Sequence, residues 1–143
     1  LKWLTGTIHK GGYNVYRKMD GGQYEKLNAQ LIKRKDTLTV DEQKISEDML
    51  LMFEMYRNLE SGKGTGLSKL LVYTKIMLDN NFAGFVGLFY SDKSVQNDQT
   101  YTYKVTYMVK GVEKLLGETP ANTVRKYIEE APPQNLDLYL MSC

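Results

Sequence analysis

Apolar and polar residues alternate with a period of two at both ends of the chain and with a helical period between them. Leu1 and Trp3 share one face of a short alternating segment, followed by a polar loop from Gly6 to Gly12. Tyr13, Val15 and Arg17 alternate with Asn14, Tyr16 and Lys18, and Gln23 to Leu27 resume the pattern. Successive strand side chains point to opposite faces, so this spacing predicts strands. Asp20-Gly21-Gly22 tolerates the positive φ that tight turns need, which makes the pair a β-hairpin.

The period changes after Thr39. Thr39-Val40-Asp41-Glu42 has the form of a capping box, a hydroxyl at the N-cap with a carboxylate three residues on. Ile45, Met49, Met52, Phe53, Tyr56 and Leu59 then recur at helical spacing. Ser61 to Gly66 ends that helix. A second helix follows, with Leu67, Leu70, Leu71, Thr74 and Leu78 on one side and Asp79-Asn80-Asn81 as its stop. The short loop between them predicts an antiparallel helical hairpin.

Period two returns at Tyr101, Tyr103, Val105 and Tyr107, and Lys110-Gly111 turns the chain into "VEKLLGE", a second hairpin. The segment after it reads as a connector, because Pro132-Pro133 favours an extended backbone. Leu136, Leu138 and Leu140 alternate as one more strand.

At 143 residues the chain fits one domain with room for a fragment of a second. A hydrophobic content of 42% and a charged content of 25% suffice for a core. The 19 basic and 17 acidic residues nearly cancel, so no basic stripe argues for nucleic acid. The longest apolar run, Phe82 to Tyr90, falls short of the roughly 20 residues that span a bilayer, and no membrane insertion is expected. Cys143 is the single cysteine, which rules out an internal disulfide framework without identifying the compartment. The chain opens at Leu1, directly in an apolar alternation, and reads as a piece of a longer polypeptide whose targeting signal lies elsewhere.

Motifs of chemistry do not assemble. "GKGTGLSK" follows a helix rather than a strand and has Gly64 where a phosphate loop needs Ser or Thr. His9 is the one histidine, so the usual zinc set cannot form, and it reads as a solvated loop residue. No serine occupies a Gly-x-Ser-x-Gly elbow. The adjacent acids Asp41-Glu42, Glu47-Asp48 and Glu129-Glu130 point in different directions on a helix and read as solvated faces and N-terminal dipole partners. Lys33 to Lys35 reads as a charged strand edge that discourages pairing. Asp79, Asn80 and Asn81 match no calcium loop. Tyrosines at strand period read as packing residues, with Tyr56 and Tyr73 fixing the helices to the strands. Met49, Met52, Met55 and Met77 suit an inter-helix core or an adaptable partner groove. No catalytic, cofactor or metal-binding residue is assigned, and no partner-binding residue is named.

Leu1-Lys2-Trp3, Tyr13-Asn14-Val15-Tyr16-Arg17, the Asp92-Lys93-Ser94-Val95 segment and Tyr101-Thr102-Tyr103-Lys104-Val105 together resemble the fibronectin type III family. The likeness covers roughly residues 1–30 and 84–118. It implies a mainly β, immunoglobulin-like antiparallel β-sandwich over 1–118 interrupted by a helical hairpin at 39–82. Residues 119–143 would be a linker and the first strand of an adjacent tandem module, or a strand added to a vacant sheet edge. Tyr101 would be the tyrosine corner, its hydroxyl tied to nearby backbone. Phe85, Leu88 and Phe89 would return the chain to the strands. The resemblance implies a non-catalytic structural or protein-interaction module of a bacterial or phage multidomain protein, secreted, cell-surface or virion-borne. Its partners would be neighbouring domains and an unidentified protein. A carbohydrate-binding accessory module of a secreted enzyme or adhesin is the alternative.

Overall fold

The computed structural model describes residues 1–124 and, for the backbone, 139–142. Among the described residues seven strands form: β1 (Lys2–Thr5), β2 (Tyr13–Met19), β3 (Glu25–Lys26), β4 (Thr100–Val109), β5 (Val112–Glu118), β6 (Asn122–Thr123) and β7 (Tyr139–Ser142). Four helices lie between the third and fourth: α1 (Val40–Gln43), α2 (Met49–Glu60), α3 (Gly66–Leu78) and α4 (Asn80–Phe85). Helix and strand are present in about equal amounts, so the content is mixed rather than mainly β.

The larger sheet is antiparallel, in the order β3-β2-β4-β5, with β6 also paired to β4. Both expected hairpins form. Tyr16 lies opposite Lys26 across the Asp20-Gly21-Gly22 turn, where Gly21 has φ +77°. Val109 lies opposite Val112, and both turn residues between them, Lys110 and Gly111, have positive φ. Primed turns demand this geometry, because their twist matches that of the strands. β2 and β4 pair along the whole of β2, Tyr13 opposite Tyr107 through Met19 opposite Tyr101. The chain stays on the sheet past Glu118, since Tyr103 accepts backbone and donates to Thr119 and β6 adds to β4.

β1 has a partner on each edge. On one side the Trp3 amide donates to the Leu88 carbonyl and the preceding Leu1 pairs with Tyr90, and on the other β7 runs parallel, with Lys2 opposite Tyr139. Leu88 and Phe89 thus rejoin the strands as expected, with Lys2 and Phe89 bridged antiparallel, whereas Phe85 closes α4 and its carbonyl accepts from the Lys35 amide. β1 is buried on both faces rather than one. The Trp3 ring meets Tyr13 edge-on at 5.5 Å, while Lys2 extends its Nζ to the Met77 carbonyl of α3. The connector residues between Val124 and Tyr139, with Pro132-Pro133, Leu136 and Leu138, and the terminal Cys143 lie outside the described residues.

The helices share the core of the strands. Phe53 and Tyr56 of α2, Val72 and Ile76 of α3 and Phe82 of α4 are buried in the same cluster as Trp3, Tyr13, Val15, Tyr103 and Val105. A pair spliced into one connection would be separable, but here it supplies a wall of the interior. The helix expected from Thr39 is two. Thr39 caps α1 with Glu42 in a complete capping box. α1 ends at Gln43 and α2 begins at Met49, and between them the Lys75 ammonium of α3 bonds the Ser46 and Asp48 side chains. The predicted stop at Asp79 is also a start: Asp79 ends α3 and its carboxylate accepts from the Asn81 and Phe82 amides to begin α4.

Candidate docking surface on the helical hairpin

α3 presents two apolar faces, and the leucine side that the helical period groups together is not the buried one. Val72 and Ile76 point inward and are fully buried. The leucine stripe faces solvent: Leu67 is 66% exposed, Leu70 63%, Leu71 42% and Leu78 82%. Fully burying one leucine is worth about 1.5–3 kcal/mol, so four left in water forgo a large stabilisation. A helix apolar on all sides normally has neighbours on all sides.

The exposure is concentrated. Of the twelve exposed large hydrophobics among the described residues, eight lie between Val40 and Leu78, including Leu50 and Leu51 of α2. Met52 and Leu71, Thr74 and Leu78 line a groove of about 510 Å³ between α2 and α3, with Asp48, Lys75 and Asp79 along its rim. Lys75 bonds both carboxylates, Asp48 at 2.8 Å and Asp79 at 3.1 Å. The hydrogen bonds from Lys75 and Ser46 hold the Asp48 carboxyl below its ordinary range. The rim is therefore locked while the groove floor stays apolar. Of the methionine stripe, Met49 is core and Met52 lines this groove.

The stripe has a rigid mounting. Thr65 caps α3 through its hydroxyl and Ser68, and Lys2 and the Tyr73 hydroxyl tie the helix to β1 at Met77 and Thr5. Tyr73 and the buried Tyr56 do fix the helices to the strands.

Other sequence candidates fall elsewhere. His9 is not simply solvated: it stacks on Tyr107 with ring centroids 3.8 Å apart, and partial burial lowers its pKa. Lys33 to Lys35 is not a bare edge, since Arg34 forms a two-pronged pair with Glu60 at 3.1 Å and Lys35 pairs with Glu42. Tyr16 and Tyr24 lie on the outer face of the large sheet, but Lys104 sits 4.9 and 4.4 Å from their ring centroids and Lys18 covers Tyr24. Each of these rings thus already has an ammonium group over it.

Two interior features carry the motifs read from the sequence. Tyr101 accepts a hydrogen bond from the Gln96 amide at 2.9 Å. Asp92, buried, accepts from Tyr103, Ser94 and Arg17. Among the described residues no three metal-ligating side chains converge, and no helix is long and apolar enough to cross a membrane. No protein-family model, curated protein or solved structure matches the chain.

Proposed function

We propose that this chain is a fibronectin type III-like β-sandwich module of a larger extracellular, cell-surface or virion-borne protein, and that its helical hairpin docks onto another protein surface. The sandwich reading is supported by the order β3-β2-β4-β5 in a sheet separate from that of β1 and β7, by Trp3 of β1 packed on Tyr13 of β2, and by Tyr101 at the start of β4 bonding backbone a few residues upstream. The docking reading is carried by one observation, the leucine stripe of α3 standing in water. An apolar patch of this kind marks an interaction site in a monomer that otherwise buries its core. The lysine-covered tyrosines favour it over a carbohydrate module.

Carbene footprinting of the chain in its native setting tests the reading. Val112 and Leu115 are internal references, since they are 55% and 57% exposed. Labelling of Leu67, Leu70 and Leu78 is expected to fall well below theirs. Equal labelling overturns docking by this face.

A further inference from the structure

We infer that the surface covering the leucine stripe is the same stripe of a second copy, with the two α3 helices antiparallel about a two-fold axis. This rests on the docking reading and adds the identity of the occupant.

Spacing is the first argument. Leu67, Leu71, Thr74 and Leu78 are separated by four, three and four residues. That is the seam spacing of helices packed side by side at a shallow angle, so the occupant is a helix. The interval also reads the same in both directions. An axis passing between Val72 and Tyr73 sets Leu67 against the partner's Leu78, and Leu71 against the partner's Thr74. Thr74 does not spoil the seam: its hydroxyl already donates to the Leu70 carbonyl at 2.8 Å, which leaves its methyl for the partner.

Charge sets the direction. The exposed Lys63 lies in the loop just before the seam, whereas Asp48 and Asp79, two carboxylates sharing the single Lys75 ammonium, leave a net negative charge at its other end. An antiparallel pair brings each Lys63 to the partner's acidic end. A parallel pair would place lysine on lysine and carboxylate on carboxylate. Two-fold isologous contacts of this kind are the commonest route to a dimer. The seam spans twelve residues, roughly 18 Å of helix, so the dimer is small and its dissociation constant is expected on the order of micromolar.

Sedimentation equilibrium of the whole chain carrying Cys143→Ser, from about 1 to 300 µM around that expected affinity, should show a monomer–dimer equilibrium. Leu71→Glu should weaken it by at least about tenfold while leaving the circular dichroism and melting temperature of the monomer in place. In the same background, Leu67→Cys with Leu78→Cys should oxidise to a covalent dimer. Either cysteine alone should not, because two copies of residue 67 lie roughly 16 Å apart across the axis. A chain that stays monomeric throughout overturns the inference. Cross-linking by Leu67→Cys alone overturns the antiparallel arrangement. Monomer in solution together with protected leucines in the native setting means that a different protein covers the face, and the docking reading alone survives.

Discussion

The Tyr103 hydroxyl donates a 2.6 Å hydrogen bond to the Asp92 carboxylate, inside the protein and eleven residues away along the chain. The same carboxylate accepts from Arg17 at 3.0 Å and from Ser94, so one buried charge joins β2, β4 and the segment between α4 and β4. Burial alone would raise the Asp92 pKa, but the bonds from Tyr103, Ser94 and Arg17 outweigh it and hold the carboxyl below its usual range. Burial first and the Asp92 charge second push the Tyr103 hydroxyl far above the ordinary tyrosine range. Removing Tyr103's donor by Tyr103→Phe is expected to cost about 1.5–3 kcal/mol. Asp92→Ala, which leaves the buried Tyr103 hydroxyl without its acceptor while Arg17 keeps Glu25 and Ser94, should cost about 1.5–3 kcal/mol. Urea unfolding measures both, and a neutral Asp92→Ala would show that the network contributes nothing net.

The same shift has a pH signature. A carboxyl whose folded pKa lies below its unfolded value adds stability that is present above the unfolded value and lost as pH falls through the folded one. Melting temperature should therefore drop as pH falls below about 4. Asp92→Asn should melt lower at neutral pH and fall less steeply on acidification. Parallel curves for the two proteins would refute the assignment.

Tyr101→Phe tests the tie between Tyr101 and the Gln96 amide. The loss of one acceptor from a part-buried backbone N–H is expected to cost about 1–3 kcal/mol, with no change in strand content. Unfolding by denaturant, read by circular dichroism, gives the value.

The two faces of α3 separate cleanly by mutation. Ile76 is fully buried, and Ile76→Ala should cost about 2–5 kcal/mol. Leu70 is largely exposed, and Leu70→Gln should change the stability of the monomer by no more than about 0.5 kcal/mol. A large loss at Leu70 in dilute, monomeric protein would mean that the stripe faces inward.

Gly87 follows α4 with φ +77°, and a Cβ there would meet the Lys33 carbonyl carbon at 2.6 Å and the Arg34 nitrogen at 2.7 Å. Both atoms are backbone and cannot swing aside. Gly87→Ala should cost more than about 1–3 kcal/mol, strain and clash together. Thermal melts of this variant beside Gly84→Ala, where the space is open, separate the clash from the loss of a glycine.

Features written in neighbouring residues were legible from the sequence. Asp20-Gly21-Gly22 and Lys110-Gly111 specify their turns locally, and Thr39 with Glu42 specifies a cap. What depended on distant partners was not. Asp92 could be noticed as part of a short motif, but its Arg17 partner lies 75 residues earlier, and no local pattern announces the pair. The segment between α1 and α2 is held by Lys75, which bonds Ser46 and Asp48 from 29 and 27 residues further along the chain. The helical period of α3 picks out its leucine side, yet the buried residues are Val72 and Ile76. Which side turns inward is decided by β1 and α2, and the signal that could have warned of it was an apolar residue on every side of one helix. Ile45, placed on the buried side of a single long helix, is exposed for the same reason: the helix it belonged to ends at Gln43.

Lys2 and Thr5, at opposite ends of a four-residue strand, are each fastened to α3, through the Met77 carbonyl and the Tyr73 hydroxyl. The helix is thus clamped at two points along one rail rather than pivoting on one. A tug on Leu70 or Leu78 would travel straight into β1 and from there to the segments laced along both of its edges. Any load on the leucine stripe therefore falls on a strand that is buried along its whole length.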